Sequence, residues 1–94
     1  MRFEWDEQKS RSNLAKHQVS FETATLVFDD PFALSIYDRT VEGEDRWHTL
    51  GLVGGVVILL VVHTHTAEDE EEVIRIVSAR KATPREREIY EQAH

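Results

Sequence analysis

The sequence predicts an α+β fold: a mainly antiparallel four-stranded sheet, plus a short N-terminal strand, flanked by two N-terminal helices and one C-terminal helix. Three observations carry this. Capping residues (Asp6, Ser20 and Thr83) stand before three helix-like stretches. Four apolar or alternating runs lie one after another between residues 33 and 79, with only short connections between them. No repeat, linker or low-complexity tract interrupts the chain, so one domain of 94 residues is expected.

Phe3-Glu4-Trp5 alternates apolar with polar and suits a short edge strand. Asp6 then caps a helix expected to run to Lys16 or His17, with Leu14 and Ala15 facing inward. Ser20 caps a second helix over residues 21–28, whose apolar side is Phe21, Ala24, Leu26, Val27 and Phe28. Asp29-Asp30-Pro31 ends it, because proline disfavours a helical conformation in the residue before it.

Strands are expected over residues 33–38 and 46–53, joined by a polar loop containing Gly43. Gly54-Gly55 is a hairpin turn into a strand at 56–64 that is apolar on both faces, as a central strand covered on each side would be. The acidic stretch 68–72 reads as a solvated connection and 73–79 as the last strand. Thr83-Pro84-Arg85-Glu86 is a helix start with a capping box.

Composition narrows the class. The chain has 40% hydrophobic and 31% charged residues, which excludes a disordered polymer. It has no cysteine, so disulfides and thiolate metal sites are excluded, in keeping with a reducing cytoplasm. The longest apolar run, residues 50–62, is too short for a membrane helix, and the N-terminal residues lack a signal-peptide core. A cytoplasmic protein with no membrane partner is expected. So small a core leaves room for stabilisation by a partner or homodimer.

The formal charge of −7 opposes nucleic-acid binding by the surface as a whole. Its distribution is uneven: residues 68–72 are all acidic, whereas residues 73–94 carry five cations against three carboxylates. A local cationic face is compatible with the total.

Several segments together resemble one known family. They are Phe3-Glu4-Trp5-Asp6, Asn13-Leu14-Ala15-Lys16-His17, Val19-Ser20-Phe21-Glu22 and Phe28-Asp29-Asp30-Pro31. Glu44-Asp45-Arg46 before Leu50-Gly51, the run from Ile74 through Arg80-Lys81-Ala82-Thr83, and Arg85-Glu86-Arg87-Glu88-Ile89-Tyr90-Glu91 complete the set. In order and spacing the chain is similar to the BrnT toxins of type II toxin–antitoxin systems.

That resemblance implies a RelE-like fold, endoribonuclease activity that arrests translation, no cofactor, and neutralisation by a BrnA-like ribbon-helix-helix antitoxin. Operator DNA would be reached only through that antitoxin. Gln18, where the family usually has glycine, and the acidic loop depart from the pattern.

Metal-free RNA cleavage needs a base for the 2′-hydroxyl, an acid for the leaving oxygen and cations for the phosphorane. His17 suits acid–base work near neutral pH. Arg46 and Arg80 suit bidentate phosphate binding, and Glu44 could act as a base or orient an arginine. Lys16, Lys81 and Tyr90 are candidate RNA-binding residues, Tyr90 on the supposition that it is exposed at the end of the last helix.

A strand over residues 73–80 would place Ile74, Ile76, Ser78 and Arg80 on one face, mounting Arg80 at the end of a buried row. Each residue has a plain alternative: an ion pair of Arg80 with Glu86, a surface pair of Glu44 with Arg46, and helix-end charges at Lys16 and His17. His63 and His65 share a strand face but lack a third ligand at a recognisable spacing, so no metal site is assigned. Two other classes stay open: a catalytically weak RelE-fold binding module acting as antitoxin partner and co-repressor, and a gyrase poison of the ParE type.

Overall fold

The structure is a computed structural model and describes residues 1–93. Strand β1 (Arg2–Glu4) leads to helix α1 (Glu7–His17) and helix α2 (Phe21–Thr25), which tightens into a 3₁₀ turn at Leu26–Asp29. Strands β2 (Leu34–Val41), β3 (Glu44–Val53), β4 (Val57–Glu68) and β5 (Glu71–Lys81) follow, then helix α3 (Pro84–Gln92). The sheet order is β1-β5-β4-β3-β2, antiparallel except for β1, which runs parallel to β5. This is the α+β class and element order expected.

Central strand β4 divides two cores by simple alternation. Leu59 and Val61 face α2, packing with Phe21, Ala24, Val27 and Ile76. Ile58 and Leu60 face the other way, against Leu50, Ala82 and Tyr90. Helix α3 covers only one end of that second face. Val62 still packs against that cluster; beyond it Thr64 belongs to neither core, is buried, and has the half-buried Arg46 and His48 beside it on β3. This is the stretch of the second face that α3 leaves uncovered.

Helix α1 corrects one expectation. Leu14 is 48% exposed and Ala15 is exposed, whereas Ser10 and Asn13 are buried. The reason is the edge of β5. Strand β1 pairs with β5 only as far as Arg75, so the backbone beyond it needs other partners. Asn13 supplies them: its Nδ2 donates to the carbonyls of Val19 and Ala79 at 2.7 and 2.8 Å, and its Oδ1 accepts the Ala79 N–H at 3.2 Å. A helix that closes a strand edge buries hydrogen-bonding side chains rather than an apolar stripe. Ser10 does similar work, its Oγ accepting the Phe21 N–H at 3.1 Å.

The second helix is shorter than expected, and Leu26 faces solvent. The strands are longer. The supposed loop around Gly43 is a two-residue turn, Glu42 and Gly43 both lying at positive φ. The acidic stretch is likewise mostly strand, turning at Asp69 and Glu70 with φ of +50° and +67°. Arg2 lies 2.6 Å from Glu68 and partly meets its charge, and His65 Nε2 lies 2.8 Å from Glu72 Oε1.

A bulge in β5 overturns the expected shared face of Ile74, Ile76, Ser78 and Arg80. Ile76 pairs with His63 but Ser78 pairs with Val62, so Val77 is an extra residue. Ile74 and Ile76 therefore lie in the α2-side core, while Ser78 and Arg80 are turned to the opposite face.

Candidate active face

The registers define what the uncovered face presents. One row across the sheet reads Arg39, Arg46, Thr64 and Arg75, from β2 to β5. The next reads Ile36, His48, Val62 and Ser78, and the next Leu34, Leu50, Leu60 and Arg80. Arg46 and Arg80 thus share a face. They stand about 13 Å apart along the strands and about 10 Å across them, with His48 and Ser78 in between.

The face is not uniformly cationic. Arg39 Nε lies 3.2 Å from Asp38 and Arg75 Nη1 lies 3.8 Å from Glu4. Arg80 is held more firmly, its Nη1 and Nη2 donating to Glu86 Oε1 and Oε2 at 2.7 and 3.0 Å. That pairing is the plain alternative weighed for Arg80, and it raises the arginine's already high pKa. Arg46 differs from the other three. It has no carboxylate partner among the described residues, and its Nε is buried without an acceptor. A buried donor left unmatched costs stability, and an anionic oxygen arriving at the guanidinium would offset that cost.

The sequence reading passed over two residues here. His48 Nε2 lies 3.4 Å from Asp38 Oδ2, with both side chains about one-third exposed at 33% and 30%. The i, i+2 spacing of Arg46 and His48 on an alternating strand was the signal that could have found the histidine. Nothing in the sequence pointed to Asp38. It is placed by a second bulge, since Tyr37 pairs with Trp47 and Arg39 with Arg46.

The other expected residues fall elsewhere. Glu44 shares the face and strand of Arg46, one step nearer the hairpin tip, and is exposed. Lys16 is exposed and His17 half-buried at the end of α1, beside β5, so β4 separates them from the strand that carries Glu44 and Arg46. Lys81 is exposed at the end of β5 and alternates to the face opposite Arg80.

Tyr90 is a correction. It is buried at 8% exposure, and its hydroxyl donates to Asp30 Oδ2 at 2.5 Å. That bond to a carboxylate, with burial, pushes its pKa up to about 12. Helix α3 turns its apolar side, Ile89 and Tyr90, onto Leu50 and Leu60, so Tyr90 presents no free ring for stacking on a base.

His63 is structural in its contacts. It lies against Phe28 with ring centroids 5.0 Å apart, its Nε2 2.6 Å from Thr49 Oγ1 and its Nδ1 3.2 Å from the Thr64 carbonyl. Burial, above all, lowers its pKa and keeps it neutral. Among the described residues no three His, Asp or Glu side chains stand together as a metal site would require.

The protein is thus a small α+β domain with α1 and α2 on one side of its sheet and, on the other, α3 at one end and His48 lying between Arg46 and Arg80. The model of one family, described as "Ribonuclease toxin, BrnT, of type II toxin-antitoxin system", matches residues 5–86, and the chain belongs to that family. The fold is similar to the crystal structure of the Brucella abortus ribonuclease toxin BrnT. The TM-score is 0.62 at 25% identity, over 88% of this chain and 97% of that one. No curated protein matches. The chain is therefore a ribonuclease toxin by family, and membership of a type II system implies an antitoxin partner.

Proposed function

We propose that the protein is a metal-independent endoribonuclease that cuts RNA on the uncovered sheet face and so inhibits translation in the cytoplasm. The observation that supports this best is Arg46, a guanidinium without a carboxylate partner on the same open face as Arg80. Arg46 holds the phosphate at the cut and balances the charge that develops on phosphorus, and Arg80, further along the face, holds a neighbouring phosphate. Glu44 lies at the rim of this surface, where it orients Arg46 or takes a proton. Lys81, turned to the face opposite Arg80, and Lys16 and His17, at the end of α1, stand off this surface and contribute little to binding or to the cut. The antitoxin is a BrnA-like ribbon-helix-helix protein, through which the complex reaches its operator.

Cleavage of a defined RNA in EDTA by wild type, Arg46→Ala and Arg80→Ala tests this. Cutting by wild type, with each variant slowed at least tenfold, is the expected result. The double hydrogen bond of Arg80 to Glu86 favours a second reading, a binding module in which this arginine only anchors α3. No cutting by folded wild type, with ribosomes present as well as absent, would decide for that reading.

A further inference from the structure

The two irregularities in the sheet fall at one level. The bulge in β2 lies between Tyr37 and Arg39, opposite Trp47 and Arg46. The bulge in β5 lies opposite Val62 and His63, which in turn pair with His48 and Trp47. Extra residues on both sides of one row are not needed to build a sheet. Bulges concentrate where a side chain has to be re-aimed. Here the first brings the Asp38 carboxylate to within 3.4 Å of His48 Nε2. The second turns Ser78 and Arg80 onto the same face. Both devices converge on His48.

Resting on the ribonuclease reading, we propose that His48, oriented by Asp38, is the group on this face that takes the proton from the attacking 2′-hydroxyl. A carboxylate beside Nε2 favours the tautomer that carries its hydrogen there, leaving the lone pair on Nδ1. Among the described residues Nδ1 has no partner, so it is free to accept a proton.

The step balances without a further reagent. The 2′-oxygen bonds to phosphorus as its proton passes to Nδ1, and the bond from phosphorus to the 5′-oxygen breaks with its electron pair. The leaving oxygen takes a proton from water, and His48 returns its own to solvent. The products are a 2′,3′-cyclic phosphate and a 5′-hydroxyl. Arg46, two residues away on the same face of β3, is the cation nearest along the strand.

The charged and polar groups around His48 are few: Asp38 and Arg39 from β2, Arg46 on its own strand, Thr64 from β4, and Ser78 and Arg75 from β5. His63, held neutral by burial, stands on the other side of the sheet. Asp38 is thus the single carboxylate in contact with the imidazole among the described residues, and it acts as a positioning residue.

The experiment compares wild type, His48→Gln, Asp38→Asn and His65→Gln, the last an exposed histidine on the opposite face. It measures cleavage from pH 5 to 8, cyclic-phosphate product, binding of an uncleavable 2′-deoxy oligonucleotide, and urea unfolding. His48→Gln is expected to lose about a hundredfold or more in cleavage, with binding and unfolding near wild type. Asp38→Asn should cut at least tenfold more slowly than wild type while binding the 2′-deoxy oligonucleotide and unfolding in urea as wild type does, because the imidazole loses the group that orients it. His65→Gln should cut as wild type does. Cutting by wild type together with cutting by His48→Gln within threefold overturns the role of His48 and leaves the ribonuclease reading standing. Cutting by Asp38→Asn within threefold of wild type overturns the role of Asp38, and serves as the arm that remains if His48→Gln fails to fold. No cutting by wild type overturns both readings together.

Discussion

Gly51 lies on the α2-facing side of β3, where the 3₁₀ turn presses against the sheet. A Cβ at this position would stand 2.6 Å from Val27 Cγ1 and 2.9 Å from the Val27 carbonyl oxygen. The second contact is with backbone and cannot be relieved by a rotamer change. Gly51→Ala should therefore cost about 1–3 kcal/mol, the usual range for overpacking, read as a lower urea midpoint at unchanged slope. A midpoint equal to wild type would mean that the turn shifts freely. The next residue, Leu52, donates its N–H at 2.8 Å to Asp30 Oδ2, the oxygen that also accepts from Tyr90. One carboxylate thus ties the turn, β3 and α3 together. This explains why a tyrosine that looked available in the sequence is committed to the core.

At the scale of elements, α3 is fixed through Glu86, which serves two structures at once. Its Oε1 accepts the Thr83 N–H at 2.9 Å to close the capping box, and both its oxygens hold Arg80. Together these depress its pKa to about 2 from 4.5, the hydrogen bond from Arg80 contributing most. A carboxylate depressed in the folded state contributes stability that is complete above pH 4.5 and is lost as pH falls toward 2. Arg80 is 37% exposed at the side chain. Screening by water therefore holds the gain to about 0.5–1 kcal/mol. Glu86→Gln should be less stable than wild type at pH 6 by that amount, with the gap closing as pH falls through this window. A gap independent of pH, in urea unfolding at pH 6, 4 and 2.5, would show that the cap alone matters.

At the scale of the whole molecule, a net charge of −7 has to coexist with binding a polyanion. The sheet does not solve this with a broad basic surface, since three of the four arginines on the open face already touch carboxylates. Affinity should accordingly depend weakly on salt. Single-stranded RNA held by Arg46 and Arg80 alone gives a slope of roughly −1 to −2 for log K against log salt, at about −0.7 per phosphate contacted. Arg46→Ala should flatten it by about 0.7. A steep slope near −4 or beyond, measured with the 2′-deoxy oligonucleotide, would mean that other cations, such as Lys16 or Lys81, carry much of the binding.

The sequence by itself determined the element order, the caps at Asp6, Ser20 and Thr83, the Gly54-Gly55 turn and the apolar, central β4, because each depends on neighbours a few residues away. It also placed Arg46 on a strand and carried the family resemblance. The tertiary structure alone decided which face each side chain takes. One extra residue reverses strand alternation, so the bulge at Val77 moved Arg80 from the expected row of Ile74 and Ile76 to the face of Arg46. The irregularity at Asp38 set a carboxylate beside His48 across ten positions of sequence. The inward side of α1 was hidden for a related reason. What Asn13 satisfies is the open edge of a strand 66 residues away, a demand that local hydrophobic periodicity cannot register.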